Sequence, residues 1–282
     1  MIKYCAYIAL IGRTNVGKST LLNRLIGSTI AITCHKSHTT RNRILGILTD
    51  DNYQMIFIDS PGLGEKTHNM IQRQMMRTTD HCIAEADIII FMTDQLPLSP
   101  ADQNVLKKLK RENKPIIGVI NKIDRNNVDI KALETLHESL PVIIPISARK
   151  NQNLDILIAQ LRMQMPEAPF FFDTHQLSDQ DPKDQYAELI REQILLNCHQ
   201  EVPHAIQVVI EKAETIKGIE HIHCLIMAQT AGQKGILIGK NGQQLKNIGQ
   251  HARIRIEHLI NRKVMLKTWV KVDPDWMNKN EL

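Results

Sequence analysis

Cysteine is scarce in this chain, and its spacing points to neither metal nor disulfide chemistry. Of 282 residues, five are cysteine, all far apart and without a CxxC pair: Cys5, Cys34, Cys82, Cys198 and Cys224. An odd number of isolated thiols predicts neither a disulfide framework nor a zinc site. A reducing compartment is the simpler interpretation.

Long hydrophobic runs are also lacking. The apolar stretch from Ile83 to Met92 is interrupted by Glu85 and Asp87, whereas a membrane-spanning helix needs about 20 apolar residues. The apolar start of the chain runs into Gly12 without the small-residue cleavage site of a signal peptide. We therefore expect a cytoplasmic protein whose contact with a membrane is at most peripheral.

Aromatic residues make up only 4% of the chain, and neither sign of charge dominates. Lys and Arg number 35 against 30 Asp and Glu, which gives a net charge of +5. This mild excess is compatible with an acidic partner but does not establish one. The length suffices for one or two domains, each with its own core.

The first motif lies where an apolar strand gives way to a helical pattern. Residues 12–19 read GRTNVGKS and fit GxxxxGK[ST]. In such a loop backbone N–H groups surround phosphate oxygens, the lysine reaches the β- and γ-phosphates, and the serine hydroxyl ligates Mg²⁺. A glycine turn that matches by accident is the alternative. The residues expected to contact the nucleotide are Gly12, Asn15, Val16, Gly17, Lys18, Ser19 and Thr20.

A second motif, Asp59-Ser60-Pro61-Gly62, follows a strand-like run. In a phosphate-loop protein an Asp at a strand end is placed to hold Mg²⁺ through water, and the Gly N–H senses the γ-phosphate. Alone, these residues indicate only a turn. After GxxxxGKS they predict that Lys18, Asp59 and Gly62 act in phosphate chemistry.

Strands and helices alternate through the rest of the first half. This pattern predicts an α/β fold with a mixed, mostly parallel sheet covered by helices, whose ligand lies at the carboxyl ends of the strands. There Asn121-Lys122-Ile123-Asp124 matches NKxD, in which the Asp accepts two hydrogen bonds that guanine offers and adenine does not. After the next strand come Ser147, Ala148 and Arg149, where a backbone N–H can donate to guanine O6. The predicted nucleotide is GTP or GDP.

With these motifs in this order, the first half resembles the translation-factor-class small GTPases. The resemblance implies that a loop threonine joins Ser19 and Asp59 as a Mg²⁺ ligand. Thr40 matches the family pattern best, and Thr39 is the fallback.

The resemblance is incomplete where hydrolysis is concerned. Many of these GTPases have a water-positioning Gln just after the DxxG motif, whereas here Leu63 follows Gly62. Either the unaided reaction is slow, or a partner or a monovalent cation completes the site. Asn15 matches an asparagine that helps bind K⁺ in related cation-dependent GTPases, although such an Asn can also simply support the loop by hydrogen bonding.

The second half has its own organisation. Pro166, Pro169 and a polar stretch predict an interdomain linker over 166–185, between a GTPase domain (1–165) and a second domain (186–282). The order helix, strand, strand, helix, GxxG, helix, strand resembles the α+β KH domain of the bacterial variety (type II). A GxxG alone indicates an ordinary turn, but in this order it predicts a loop that grips about four nucleotides.

Basic residues crowd the region around the GxxG, with Glu257 the only acidic residue among them: Lys234, Lys240, Lys246, Arg253, Arg255, Arg262, Lys263, Lys267 and Lys271. A solvated helix face is the ordinary interpretation of such charges. Beside a GxxG we interpret them as phosphate contacts. The residues expected to bind RNA are Ile238, Gly239, Lys240, Asn241, Gly242, Lys246 and Arg253.

Over nearly its whole length the chain resembles the Era-type ribosome assembly GTPases, a likeness carried also by residues 199–204, 233–242 and Trp269-Val270-Lys271-Val272. The resemblance implies hydrolysis of GTP with Mg²⁺, binding of the 3′ end of 16S ribosomal RNA, and action on the 30S subunit. It further implies peripheral contact with the inner membrane and a monomeric state. Two alternatives stay open. One is an RNA-binding adaptor with guanine nucleotide as a structural ligand, and the other is a membrane-bound regulator independent of RNA.

Overall fold

The computed structural model describes residues 2–33, 43–63, 70–125, 129–198, 206–274 and 276. The chain divides into two compact units, Met1–Asp179 and Gln180–Leu282. Within the described ranges no helix combines the length and the apolar content needed to cross a membrane.

The first unit is built on a six-stranded sheet with the order β2-β3-β1-β4-β5-β6. Its strands are β1 (Tyr4–Gly12), β2 (Ile44–Thr49), β3 (Tyr53–Asp59), β4 (Ile88–Thr93), β5 (Ile116–Ile120) and β6 (Ile143–Pro145). Only the β2–β3 pair is antiparallel. The predicted mixed, mostly parallel sheet is confirmed.

Both faces of this sheet are covered, as the continuous apolar strands predict. Along β1 the side chains alternate: Ile8 and Leu10 belong to one buried cluster, and Ala9 and Ile11 to another. The helices that surround the sheet in the described part of this unit are α1 (Lys18–Ile26), α2 (Met70–Glu85), α3 (Pro100–Leu109), α4 (Ile130–His137) and α5 (Leu154–Arg162).

Helix starts in this unit follow from local sequence. Ser99 caps α3, its hydroxyl accepting from Asp102 N–H, and Pro100 occupies the first turn, where its missing N–H costs nothing. Asp129 caps α4 in the same way, by accepting from Lys131 and Ala132. The start of α1 has no such side-chain cap and follows Gly17 in a left-handed conformation, which leaves its first N–H groups available to an anion.

The segment after α5 does not behave as a linker throughout. Residues 166–179 belong to the first unit, whereas the sequence places a linker over 166–185. The backbone N–H groups of Phe171 and Phe172 donate to Gln54 Oε1 (2.8 and 3.0 Å), and Ile47 N–H donates to Leu177 O (2.9 Å). These bonds dock the segment against β2 and β3, so the second unit begins at residue 180.

The second unit folds in the predicted order of elements. They are α6 (Pro182–Asn197), β7 (Ile206–Ile216), β8 (Ile219–Ala228), α7 (Ala231–Ile238), a 3₁₀ turn (Lys240–Gly242), α8 (Gln243–Ile260) and β9 (Lys263–Val272). The sheet order is β7-β8-β9, with β7 antiparallel and β9 parallel to the central β8. Helices α6, α7 and α8 contact this sheet, and the buried residues of β8 (Ile222, Cys224, Ile226) occupy alternate positions that face them.

Candidate nucleotide and RNA sites

The shape of the phosphate loop depends on three of its residues. A Cβ on Gly12 would lie 2.3 Å from the Met92 carbonyl oxygen, and one on Gly17, at a φ of +104°, would lie 2.3 Å from Asn121 Nδ2. Asn15 has a φ of 64°, a conformation that asparagine adopts more readily than most residues. The glycines are therefore needed for close approach inside the protein as well as for access to an anion.

Lys18 is buried at the centre of this loop. Its Nζ donates to the carbonyl oxygens of Gly12 (3.1 Å) and Arg13 (2.9 Å). Burial lowers the pKa of Lys18 to about 8, and the nearby Asp59 carboxylate opposes that effect. A desolvated ammonium held among carbonyls is well suited to exchange them for phosphate oxygens.

Two oxygen ligands suited to Mg²⁺ meet beside this lysine. Ser19, on the first turn of α1, donates from Oγ to Oδ2 of Asp59 at 2.5 Å. Mg²⁺ is usually held by one or two carboxylates together with substrate phosphates and water. Among the described ranges there is no group of three or more His, Cys, Asp or Glu side chains that could hold a metal. Thr40 and its fallback Thr39 lie outside the described residues.

The turn after β3 rests directly on the phosphate loop. Ser60 Oγ donates to Leu10 O (2.7 Å), and Leu63 N–H donates to Gly12 O (3.1 Å). A Cβ on Gly62 would lie 2.7 Å from Thr14 Cα. Gly62 therefore makes a close contact that a larger residue could not make, and it lies beside the loop that would hold the phosphates.

Asn121 joins three loops at the carboxyl edge of the sheet. Its Nδ2 donates to Val16 O (2.7 Å) in the phosphate loop, and its Oδ1 accepts from Ala148 N–H (3.0 Å). Lys122, at a φ of 68°, donates from Nζ to Asn15 O (2.7 Å). The structure thus brings the predicted phosphate and base motifs together, and Thr20 lies in the first turn of α1.

Asp124 lies at the end of this arrangement. Ser147 Oγ donates to its Oδ1 (2.6 Å), and this hydrogen bond is the main cause of a pKa below the usual aspartate value. Arg149, the last residue of the third motif, is exposed, and its carbonyl accepts from Arg24 Nη2 (3.3 Å). An ionised carboxylate fixed by a neighbouring hydroxyl could accept the paired N–H groups of a guanine edge.

Sequence reasoning missed a charged network around Arg13. Its Nη2 contacts Asp94 Oδ1 (2.9 Å) and its Nε contacts Asp102 Oδ1 (2.8 Å), while Asp94 Oδ2 accepts from Lys122 Nζ (2.7 Å). Asp94 directly follows β4, and an acidic residue at a strand's carboxyl end was the available signal. Asp102 carries no motif. The network ties the phosphate loop to NKxD through side chains alone.

In the second unit, the GxxG loop adopts a strained backbone that explains its glycines. Gly239 and Gly242 have φ values of 70° and 75°, and a Cβ on Gly239 would lie 2.5 Å from Gln244 Cβ. Asn241 also has a positive φ, 51°, which asparagine tolerates. Ile238 ends α7 immediately before the loop, and α8 starts immediately after it.

Six of the basic residues near this loop form two sets. Lys240, Lys246 and Arg253 are not buried, and the last two, seven residues apart on α8, share one helix face. Arg255 contacts Glu192 (3.3 Å), Arg262 contacts Glu220 (3.5 Å), and Lys263 contacts Glu257 (3.8 Å). The second set has carboxylate neighbours, so the first set is better placed to meet phosphates.

Comparison with known proteins extends to the whole chain. A family model described as a 50S ribosome-binding GTPase matches residues 7–122, and a KH-domain model matches residues 201–277. The chain is similar to "GTPase Era" of Pseudomonas aeruginosa strain LESB58, 40% identical over 279 residues that cover 96% of this chain and 91% of the relative. It is also similar to GTPase Era of Vibrio cholerae, 37% identical over 97% of this chain and 86% of the relative.

Two solved structures match both units. One is a single-substitution variant of Aquifex aeolicus Era bound to GDP·AlF₄⁻, with a TM-score of 0.93 and 35% identity, covering 99% of this chain and 97% of that one. The other is Era in complex with MgGDPNP and nucleotides 1506–1542 of 16S ribosomal RNA, with a TM-score of 0.94 and 35% identity over the same shares.

Proposed function

The chain belongs to the Era family of GTPases, and from that membership we propose that it couples its nucleotide state to binding of the 3′ end of 16S ribosomal RNA during maturation of the 30S subunit. As a member of this family it hydrolyses GTP to GDP and phosphate with Mg²⁺. The observation behind the proposal is that one chain contains both sites. Hydrogen bonds join the loops expected to bind phosphate and guanine, and the GxxG loop is accessible and basic. Its likeness to an Era structure containing MgGDPNP and 16S ribosomal RNA supports the pairing.

We assign the nucleotide roles as follows. Lys18 binds the β- and γ-phosphates, Ser19 and Asp59 hold Mg²⁺, and Gly62 N–H contacts the γ-phosphate. Asp124 pairs with the guanine edge. Thr40 completes the metal ligands by the family pattern. What supports these roles is that Asn121, three residues before Asp124, bonds to both the phosphate loop and the loop of Ala148 (2.7 and 3.0 Å).

We assign RNA recognition to the GxxG loop and the accessible face of α8. A matched pair of glycines tests this assignment. Gly242 and Gly218 have φ values of +75° and +78°, and a Cβ at either would meet nothing within 4 Å. Replacement by Asp should therefore strain both turns equally, but only Gly242→Asp places a carboxylate where the RNA backbone would pass.

The expected result is loss of affinity for the 1506–1542 RNA of about tenfold or more for Gly242→Asp, with Gly218→Asp binding as the unsubstituted protein does. Fluorescence anisotropy measures the affinities for RNA, and thermal unfolding tests whether the two variants are equally stable. Equal RNA affinity of the two variants would remove the GxxG loop from the interface.

Coupling is tested by measuring RNA affinity with GDP and with GDPNP, each with Mg²⁺. A switch requires a different affinity in the two states, because a nucleotide shifts an equilibrium only through differential binding. Equal affinities would leave two independent modules on one chain. Single-turnover hydrolysis with and without 30S subunits then tests whether the subunit is the partner that completes the site.

A monovalent cation is the second candidate for completing the site. We propose that K⁺ binds near Asn15, and replacing KCl by NaCl at equal ionic strength should then slow hydrolysis. The left-handed backbone conformation at position 15 already explains why an asparagine is found there. Equal hydrolysis rates in KCl and NaCl would therefore leave Asn15 with this conformational role alone. The monomeric state and the peripheral membrane contact stay predictions.

A further inference from the structure

One face of the β7-β8-β9 sheet in the second unit is not covered by α6, α7 or α8 and does not include the GxxG loop. The buried face of β8 packs toward the helices, and the alternate residues, His221, His223, Leu225 and Met227, are only partly buried. On β9 the outward residues Met265, Lys267, Trp269 and Lys271 are all exposed. We call this set, together with its neighbours on β7, the open sheet face.

Strand register arranges the open sheet face in rows. Leu225 lies between Val209 and Trp269, and the next row has His223 between Lys212 and Lys267. The His223 ring meets the Trp269 ring edge-on, with centroids 6.0 Å apart. The centre is therefore an apolar strip ending in an indole ring that is 38% exposed.

Charge on the open sheet face is predominantly positive. Lysines occupy the outward positions 212, 267 and 271, against the carboxylate of Glu214, whereas Lys263 at the start of β9 contacts Glu257 (3.8 Å) of α8. Lys212 and Glu214 neutralise each other, because Lys212 Nζ lies 2.6 Å from Glu214 Oε1, so the positive charge of this face rests on Lys267 and Lys271. Lys267 and Lys271 flank Trp269 two residues to either side, so both cations project from the same face as the ring.

We propose that the open sheet face is a second RNA-binding surface, on which a single-stranded base stacks on Trp269 while Lys267 and Lys271 contact the flanking phosphates. The proposal rests on the RNA-binding function above. An exposed aromatic ring between lysines on a sheet suits base stacking with backbone neutralisation. Protein-binding surfaces, in contrast, are depleted of lysine, and a GxxG loop alone accounts for only about four nucleotides.

The tryptophan content of the chain allows a direct test. Its two tryptophans are Trp269 and Trp276, and Trp276 is 5% exposed. In the Trp276→Phe variant, emission comes from Trp269 alone, and in Trp269→Phe it comes from Trp276 alone. The 1506–1542 RNA is titrated into each full-length variant with GDPNP and Mg²⁺, and anisotropy of labelled RNA reports binding in the same samples.

In Trp276→Phe, we expect the RNA to quench tryptophan emission saturably, with the same midpoint as the anisotropy curve. In Trp269→Phe, we expect no quenching. Trp269→Ala should weaken RNA binding by about 5- to 150-fold, the range measured for one stacked base. Lys267→Gln should lower the salt dependence of binding by about 0.7 in log–log slope. Lys183→Gln, at an exposed position on α6, is the matched control and should change neither quantity.

RNA that binds by anisotropy and leaves Trp269 emission unchanged would overturn this inference without affecting the proposed function. RNA that fails to bind the unsubstituted protein would overturn both. Quenching by vesicles of phosphatidylglycerol and phosphatidylethanolamine but not by RNA would also overturn it, and would assign the surface to a membrane.

Discussion

Asp102 offers the sharpest test of how the phosphate loop is held, because no motif marks it and yet it anchors Arg13. Its Oδ1 accepts from Arg13 Nε (2.8 Å), and its Oδ2 accepts from the hydroxyls of Ser99 (2.7 Å) and Thr93 (3.2 Å). Burial by itself would lower the pKa of Arg13, but the hydrogen bonds and charges of Asp102 and, after it, Asp94 outweigh burial and raise that pKa. Arg13 in turn presents the carbonyl that holds Lys18 at 2.9 Å.

The substitution Asp102→Asn removes the charge and keeps the shape. The remaining amide oxygen can still face Arg13, and Thr93 can accept from the new amide while its O–H donates to Gln95 O (3.2 Å). The Ser99 hydroxyl loses the Oδ2 acceptor that it has now. What is lost is the ionic part of a pair in which Asp102 is 0% and Arg13 25% exposed. Breaking a fully buried pair costs about 3–5 kcal/mol and a hydrogen bond to a charged group contributes about 1.5–3 kcal/mol, so we expect about 2 kcal/mol here.

Nucleotide dissociation should report the same loss. If about 1.4 kcal/mol of this destabilisation weakens the nucleotide-bound form of the phosphate loop, GDP and GTP should each dissociate about tenfold faster, because both contact that loop. Stopped-flow release of fluorescent nucleotides measures the rates, and urea unfolding measures the stability. The control is Asp155→Asn, because Asp155, like Asp102, occupies the first turn of a helix (α5) but is exposed. Unchanged release and unfolding in Asp102→Asn would show that Arg13 does not depend on this anchor.

Three further predictions follow from single contacts. Asp124→Asn exchanges a hydrogen-bond acceptor for a donor and should shift binding from guanine toward xanthine nucleotides in competition assays, whereas unchanged GDP affinity would remove Asp124 from the base pocket. Gly62→Ala places a Cβ 2.7 Å from Thr14 Cα, so the turn must move and hydrolysis should fall by about 100-fold with GDP affinity retained; a normal single-turnover rate would contradict this. Burial raises the pKa of both Cys82 and Cys224 from 9.0 to about 12, so neither thiol should react with iodoacetamide at pH 8 until the protein unfolds. Because these folded-state pKa values exceed the unfolded ones, the associated stability is complete below pH 9 and is lost as the pH rises toward 12; mass mapping of labelled peptides and unfolding at stepped pH check both points.

The fold was predictable where local pattern and chemistry coincide. Continuous apolar runs bounded by motif residues predict buried parallel strands, and the strand that ends at Asp59 lies where the sequence places it. The GxxG turn between two helices was also predictable from local sequence, because glycine and asparagine are the residues that accept its positive φ values. Motifs of this kind encode a backbone shape, and backbone shape is local.

The charged network and the hydrogen bonds that dock residues 166–179 were not predictable from local pattern. Arg13, Asp94 and Asp102 come from three separate elements, and their meeting depends on how α3 packs beside β4. Residues 166–179 look like a linker because they are rich in proline and polar groups. Part of their attachment depends on one buried amide, Gln54, whose Nε2 donates to Phe172 O (2.8 Å). A single Gln in a strand does not predict such a partner.

Leu63 shows how packing can answer a question that the motif leaves open. The sequence presents it as a missing water-positioning side chain, but it packs against the buried cluster that contains Ile11, Phe91 and Leu106, and its N–H donates to Gly12 O. A polar side chain there would either leave that cluster or bury a group without a partner, at a cost of about 1–3 kcal/mol. The Leu63 side chain thus holds the turn against this cluster, while its backbone N–H and the close contact of Gly62 hold the turn against the phosphate loop. Leu63 itself is thus occupied by packing, and the 30S subunit and K⁺ stay the two candidates for the group that orients the attacking water.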